Sequence, residues 1–213
     1  MLSKNINYSV YLILDPVLTE NLGMVQTAQL AVQAGATVVQ FRAPQWKKRQ
    51  RYECALSLKQ MLKNYQVPLI IDDDVDVALA CDADGVHVGQ KDLPVEVVRK
   101  LLGPEKIVGL SINNAEQMAL VDPKMVDYVG VGPIFSTTTK PDAAAPIGFD
   151  GLKKLMQICP VPAVAIGGIK AHHIESAVKA GVQGVAVISA ICGQDNPEQK
   201  TQELVRLWKQ NTI

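Results

Sequence analysis

The chain has 213 residues, 48% of them hydrophobic and 20% charged, with twenty-one basic side chains against twenty-one acidic ones. That is enough apolar chain for one folded domain with a sizeable core, and it excludes a disordered polypeptide. The balanced charge excludes a broad basic surface for nucleic acid or an anionic membrane, but it is compatible with a local anion site.

In chain order, apolar runs at residues 8–15, 37–42, 68–73, 85–88, 107–111, 128–134, 163–168 and 184–189 read as strands. They are nearly continuous in Val, Ile and Leu, as strands buried on both faces should be. Helical stretches are expected between them, at 21–35, 49–65, 75–81, 94–102, 115–120, 149–158, 172–181 and 197–210. Two of these end in "AVQAG" and "AVKAG", each with a glycine placed as a helix stop. Pro94 and Pro197 suit a first helical position. The unit "AGATVVQFR" recurs in kind as "CDADGVHVG", "VDYVGVG" and "AGVQGVAVIS". Eight alternating strand–helix units in so short a chain imply a single (β/α)8 TIM-barrel domain over residues 1–213, with an open doubly wound sheet as the alternative.

Cys54, Cys81, Cys159 and Cys192 show no C-x-x-C spacing and no finger pattern with the three histidines, so they read as reduced thiols. The N-terminal apolar run is too short for a signal segment and breaks at Pro16, and no run is long enough to span a bilayer. A cytoplasmic protein without membrane or nucleic-acid partners is expected. The oligomeric state stays open, and a homo-oligomer is compatible with the sequence.

In a barrel, catalytic groups come from the C-terminal strand ends. Those ends carry Gln40 and Arg42, then Asp72 and Asp73, then Gln90 and Asp92, then Ser111 and Asn113. Beyond them stand Thr137, Thr138, Thr139 and Lys140 in "GPIFSTTTKPD", Gly167-Gly168, and Ile188-Ser189. Asp73 and Asp92, from neighbouring units, could reach one hard cation such as Mg2+, which takes one or two carboxylates and leaves its other positions to water and substrate phosphates. Arg42 and Lys140 flanking such an ion suit a pyrophosphate, bound or departing. The loops after strands seven and eight are where barrels cradle a phosphate. Phosphorylated small molecules are therefore the expected substrates.

Several of these residues have plainer readings. Asp74 and Asp76 suit the start of the following helix, through capping or the helix dipole. "STTTK" alone reads equally as a polar loop, and "GG" alone as a turn. His87 alternates with Val86 and Val88 and reads as a hydrogen-bonded interior histidine. His172 and His173 read as surface residues, and "WKKRQR" as the solvated start of a helix.

Taken together, "VVQFR", "IIDDDVDVALACDADGVHVGQKDLP", "VGLS", "YVGVGPIFSTTTKPDAAAPIG", "VPAVAIGGI" and "GVAVISAI" resemble the thiamine phosphate synthase family over nearly the whole chain. The resemblance implies a transferase that joins hydroxymethylpyrimidine pyrophosphate to hydroxyethylthiazole phosphate, releasing pyrophosphate. It implies that Gln40, Arg42, Asp72, Ser111 and Lys140 meet the pyrimidine pyrophosphate, with Arg42, Lys140 and Ser111 acting in catalysis. It places Mg2+ on Asp73 and Asp92, and the thiazole phosphate on Thr137, Thr138, Thr139, Gly168, Ile188 and Ser189.

Three positions depart from the family pattern. Pro44 stands where the family has lysine, Asp72 where it has asparagine, and Asn113 where it often has histidine. One cation fewer and one anion more should weaken the pyrophosphate site. The alternatives are a TenI-like thiazole tautomerase, which Asn113 disfavours because an amide cannot shuttle protons near neutral pH, and a non-catalytic barrel that binds thiamine intermediates, which Pro44 and Asp72 motivate.

Overall fold

The computed structural model describes residues 6–137, 139 and 144–212. Eight parallel strands close into a barrel in sequence order: β1 (Val10–Leu14), β2 (Val38–Phe41), β3 (Leu69–Asp72), β4 (Gly85–Val88), β5 (Ile107–Ile112), β6 (Tyr128–Val131), β7 (Ala163–Ile166) and β8 (Gly184–Val187), with β8 paired back to β1. The helices lie outside: α1 (Met24–Gln33), α2 (Lys48–Lys63), α3 (Val75–Ala80), α4 (Val95–Leu102), α5 (Ala115–Ala119), α6 (Gly148–Met156), α7 (Ile174–Lys179) and α8 (Pro197–Asn211). The fold is the expected (β/α)8 barrel.

Strand alternation divides the apolar residues into two cores. Val10, Leu12, Leu14, Val39, Phe41, Leu69 and Ile71 point outward and pack in the large cluster shared with the helices. Tyr11, Ile13, Val38, Ile70, Ile107, Tyr128 and Val164 form a smaller cluster inside the barrel. The same period sends Gln40, Asp72, His87 and Ser111 toward the cavity at the C-terminal ends of the strands. There the inward positions change from apolar to polar.

At the opposite end the barrel is laced in pairs. Thr37, Asp84, Asp127 and Gln183 each immediately precede an even-numbered strand. Their backbone N–H groups donate to the carbonyls of Val10, Leu69, Val108 and Ala163 at 2.8–2.9 Å. Their side-chain oxygens accept the N–H of those same residues, at 3.3, 2.8, 2.8 and 2.8 Å. These four residues belong to the repeated units visible in the sequence. Each even strand is thus tied at its start to the odd strand before it, and N–H groups that would otherwise fray are satisfied.

Several local details differ from expectation. Pro94 is the N-cap of α4 rather than its first residue, whereas Pro197 does open α8 behind the Asn196 cap, whose side chain accepts from Gln199 N–H at 2.9 Å. The seventh helical stretch is a 3-10 turn, Ala171–His173, followed by the short α7. Gly35 and Gly181 follow α1 and α7 in left-handed backbone, the helix stops expected of them.

Candidate active site

The C-terminal end of the barrel opens into a cavity of about 1390 Å³. That exceeds the volume usual for one drug-sized ligand. Its wall includes Gln40, Arg42, Asp72, Asp73, Asp92 and Ser111 on one side. On the other it includes Thr137, Thr139, Gly168, Ile188 and Ser189. Thr138 and Lys140 lie outside the described residues.

The three adjacent aspartates after β3 go to different places. Asp72 keeps the inward direction, and its Oδ2 sits 3.3 Å from Arg42 Nε, both side chains being 16% exposed. Asp73 has φ 60°, a left-handed conformation that aspartate tolerates better than most side chains. Its N–H donates to the His87 carbonyl at 2.9 Å. This kink breaks the strand alternation, so Asp73 lines the cavity beside Asp72. Asp74 turns away to α2, accepting from Arg51 at 2.6 Å and Lys48 at 2.5 Å.

Asp74 does occupy the N-cap of α3, as expected, but its side chain caps nothing; only its carbonyl receives the helix, from Ala78 N–H at 3.0 Å. Asp76 lies in the first turn and also meets Lys48, at 3.1 Å. The "WKKRQR" segment is correspondingly less solvated than expected. Lys47, Lys48 and Arg49 are exposed, but Arg51 is half-buried and donates to the carbonyls of Pro44 and Trp46 as well as to Asp74.

Asp92 comes from the loop after β4. Its Oδ2 accepts the Gly89 N–H at 2.8 Å, which fixes the carboxylate at the rim. Among the described residues no cluster of three or more His, Cys, Asp or Glu side chains is placed to hold a metal. The donor set on offer is the carboxylate pair Asp73 and Asp92 on one cavity wall. Its oxygen chemistry fits a hard cation that fills its remaining positions from water and substrate.

A chain of hydrogen bonds crosses the cavity floor. Gln40 Nε2 donates to Tyr11 Oη at 2.8 Å, Tyr11 Oη meets Tyr128 Oη at 2.7 Å, and Tyr128 Oη meets His87 Nδ1 at 2.9 Å. His87 Nε2 then meets Ser111 Oγ at 2.9 Å. Read outward from the Gln40 amide, each group donates to the next, which gives His87 the Nε2–H tautomer and leaves the Ser111 hydroxyl hydrogen to donate into the cavity. Burial pushes both tyrosines well above the ordinary phenol range, so their hydroxyls stay protonated. Gly109 makes the arrangement possible: a Cβ there would lie 2.3 Å from Tyr128 Cζ and 2.5 Å from His87 Nδ1. His87 is the hydrogen-bonded interior histidine expected of it, and it also orients Ser111.

Arg42 connects the two walls. Besides Asp72, its Nη1 approaches the Thr139 carbonyl at 3.4 Å. Thr137 and Thr139 pair through their hydroxyls at 2.9 Å. Beyond them, Gly168 has φ 67°, and a Cβ there would come within 2.7 Å of Phe135 Cβ, so only glycine lets this loop lie against the threonine loop. Ile188 opens a turn whose carbonyl accepts from Ile191 and Cys192, and Ser189 follows it on the cavity wall.

The model for the thiamine monophosphate synthase family matches residues 10–191. A thiamine-phosphate synthase of Laribacter hongkongensis is 49% identical over 97% of this chain and 98% of its own length, and one of Syntrophomonas wolfei is 42% identical over 97% and 99%. The chain belongs to the thiamine monophosphate synthase family. The solved thiamine phosphate pyrophosphorylase of Pyrococcus furiosus is 35% identical, covering 97% of this chain and 98% of that one, with a TM-score of 0.88. A 3-hexulose-6-phosphate synthase shares the fold at 16% identity and a TM-score of 0.65.

Within the thiamine monophosphate synthase frame, the three unusual positions now have surroundings. Pro44 lines the cavity, and Lys48, one of the nearby lysines, is directed to Asp74 and Asp76 instead. Asp72 partners the arginine beside it. Asn113 lines the cavity, with its N–H donating to Gln117 Oε1 at 2.9 Å and its side-chain oxygen accepting from Asn114. Sequence reasoning missed Tyr11, Tyr128 and Lys91, all on the cavity wall. The inward period of β1 and β6 could have found the tyrosines. His172 is exposed as expected, but His173 is half-buried and stacks on Phe135 at 4.3 Å.

Proposed function

We propose that this protein joins hydroxymethylpyrimidine pyrophosphate to hydroxyethylthiazole phosphate, giving thiamine phosphate and pyrophosphate. The observation that carries the reading is the single cavity that holds both the Gln40-to-Ser111 chain with its adjoining carboxylates and the Thr137–Gly168–Ser189 wall. One cavity with two such ends suits a reaction that brings two anionic substrates together. The similarity to thiamine-phosphate synthases over nearly the whole chain supports it.

The reaction breaks the bond between the pyrimidine methylene carbon and a pyrophosphate oxygen, and the electron pair leaves with the pyrophosphate. The thiazole nitrogen lone pair then forms the new carbon–nitrogen bond. No proton is transferred, so the protein needs alignment and charge rather than a strong base. Gln40 and Ser111 orient the pyrimidine ring through the hydrogen-bond chain beneath it. Arg42 stabilises charge on the departing pyrophosphate, with Lys140 assigned the same task. Thr137, Thr138, Thr139, Gly168, Ile188 and Ser189 hold the phosphate of the thiazole, so that its nitrogen faces the methylene. Asp73 and Asp92 would hold Mg2+, which when bound neutralises pyrophosphate oxygens.

The direct test is purified protein with both substrates and Mg2+. Thiamine phosphate and pyrophosphate should appear in equal amounts, and removal of Mg2+ should stop them. Tight binding of the thiazole phosphate with no product would establish a binding barrel instead. Among the described residues no helix is long and apolar enough to cross a membrane. The four cysteines are free thiols. Free thiols suit a reducing, cytoplasmic place of action.

A further inference from the structure

After β7 the chain passes through Gly167, Gly168 and Ile169 to Lys170, just ahead of the 3-10 turn. Gly168 and Ile169 line the cavity. Lys170 is half-buried and reaches the neighbouring loop after β8, where its Nζ donates to Ser189 Oγ at 2.8 Å. Among the described residues no carboxylate lies within ion-pairing distance of Lys170. Lys48, Lys59, Lys106 and Lys179 differ, since each is paired with an aspartate or glutamate.

An ammonium set against a neutral hydroxyl keeps its full positive potential, and partial burial shields that potential less than water would. Burial first, then His172 and Lys170, lower the His173 pKa below the usual imidazole value. Ser189, by accepting from Lys170, keeps its own hydroxyl hydrogen to donate, and a donor polarised by a cation makes the stronger bond to an anion. Lys170 also has further N–H bonds available to donate.

We propose that Lys170 is a specificity-determining residue at the phosphate end of the cavity. Acting beside and through Ser189, it selects the phosphorylated thiazole over the corresponding unphosphorylated alcohol. This rests on the reading above that the thiazole phosphate occupies this end.

The test compares wild type, Lys170→Met and Lys170→Arg in the full chain. Lys170→Met should raise KM for the thiazole phosphate about tenfold, the scale of one charge-assisted hydrogen bond. It should weaken competitive inhibition by inorganic phosphate to a similar degree. KM for the pyrimidine pyrophosphate and kcat at saturation should stay within about twofold, and calorimetric binding of the thiazole alcohol should not change. Lys170→Arg should restore most of the loss. Unchanged phosphate inhibition in Lys170→Met, equal weakening of phosphate and alcohol, or no rescue by arginine would each overturn the proposal. If wild type forms no thiamine phosphate, the functional reading fails separately, and calorimetric titration with inorganic phosphate still decides whether Lys170 holds an anion.

Discussion

Arg42 Nε lies 3.3 Å from Asp72 Oδ2, so the arginine expected to meet pyrophosphate already has a carboxylate partner. Burial first, with a smaller contribution from the Asp72 carboxylate, holds the nearby Tyr11 and Tyr128 hydroxyls protonated. A pyrophosphate arriving at Arg42 therefore meets an anion as well as a cation. Asp72→Asn should lower KM for the pyrimidine pyrophosphate by roughly threefold to tenfold, a fraction of the unscreened interaction because both side chains are partly wet. The second contact of Arg42, to the Thr139 carbonyl, keeps it in place in that variant. Steady-state kinetics at two ionic strengths would check this. A higher KM would mean that Asp72 matters more for aiming Arg42 than for opposing the substrate.

Asp73 and Asp74 are adjacent yet should fail in different ways. Asp73, turned into the cavity by its left-handed backbone, should lose most Mg2+-dependent turnover as Asp73→Asn, a residue that tolerates the same backbone, while melting close to wild type. Asp74→Ala removes the carboxylate shared by Arg51 and Lys48 at the α2–α3 junction, leaving Lys48 with Asp76 and Arg51 with the Pro44 and Trp46 carbonyls. It should cost about 1–3 kcal/mol of stability, less than a fully buried pair because the Asp74 side chain is 15% exposed. Thermal melts and kcat/KM on both variants separate the two roles, and equal kinetic loss in both would refute the assignment.

The contrast between these aspartates shows what a sequence can and cannot carry. The eight strands were legible because runs buried on both faces leave a continuous apolar signature, but several C-terminal ends were overrun, although β4 ends where expected and β5 runs one residue further. Residues 128–134 read as one strand, yet β6 stops at Val131, before Gly132 and Pro133, the latter without an N–H for the ladder. Residues 163–168 likewise stop at Ile166, because Gly167 and Gly168 take φ 96° and 67°. The rim residues were legible through fold logic, since the C-terminal end of each strand was known to matter. The partners were not. That Asp74 meets Arg51, that Asp72 meets Arg42, and that Lys170 meets Ser189 depend on side chains from different units converging, and no local period encodes such convergence.

Tyr128 is the midpoint of the floor chain and touches neither proposed phosphate. Tyr128→Phe leaves Tyr11 and His87 Nδ1 without their shared hydroxyl. Removing one partner from a buried network costs about 1–3 kcal/mol. The functional consequence should be selective. Once His87 can flip or change tautomer, Ser111 loses its fixed orientation, so KM for the pyrimidine substrate should rise while inhibition by inorganic phosphate is unchanged. Parallel loss at both ends of the cavity would show that the tyrosine supports the barrel as a whole.

The paired lacing at the N-terminal end predicts the opposite profile. Asp84 accepts the Leu69 N–H at 2.8 Å and Lys59 Nζ at 2.6 Å, at the end of β3 remote from Asp72 and Asp73. Asp84→Asn keeps an oxygen for Leu69 and loses only a partly exposed ion pair, which should cost no more than about 1 kcal/mol. Asp84→Ala loses both bonds and leaves the Leu69 N–H at the barrel end unsatisfied, so it should cost about 1–3 kcal/mol. Neither change alters the cavity wall, so both KM values should match wild type wherever the variants are folded. Denaturant unfolding would rank the three proteins, and kinetics well below the unfolding midpoint would test the separation. If Asp84→Asn destabilises as much as Asp84→Ala, the stabilisation resides in the Lys59 pair and not in the backbone bridge that ties β4 to β3.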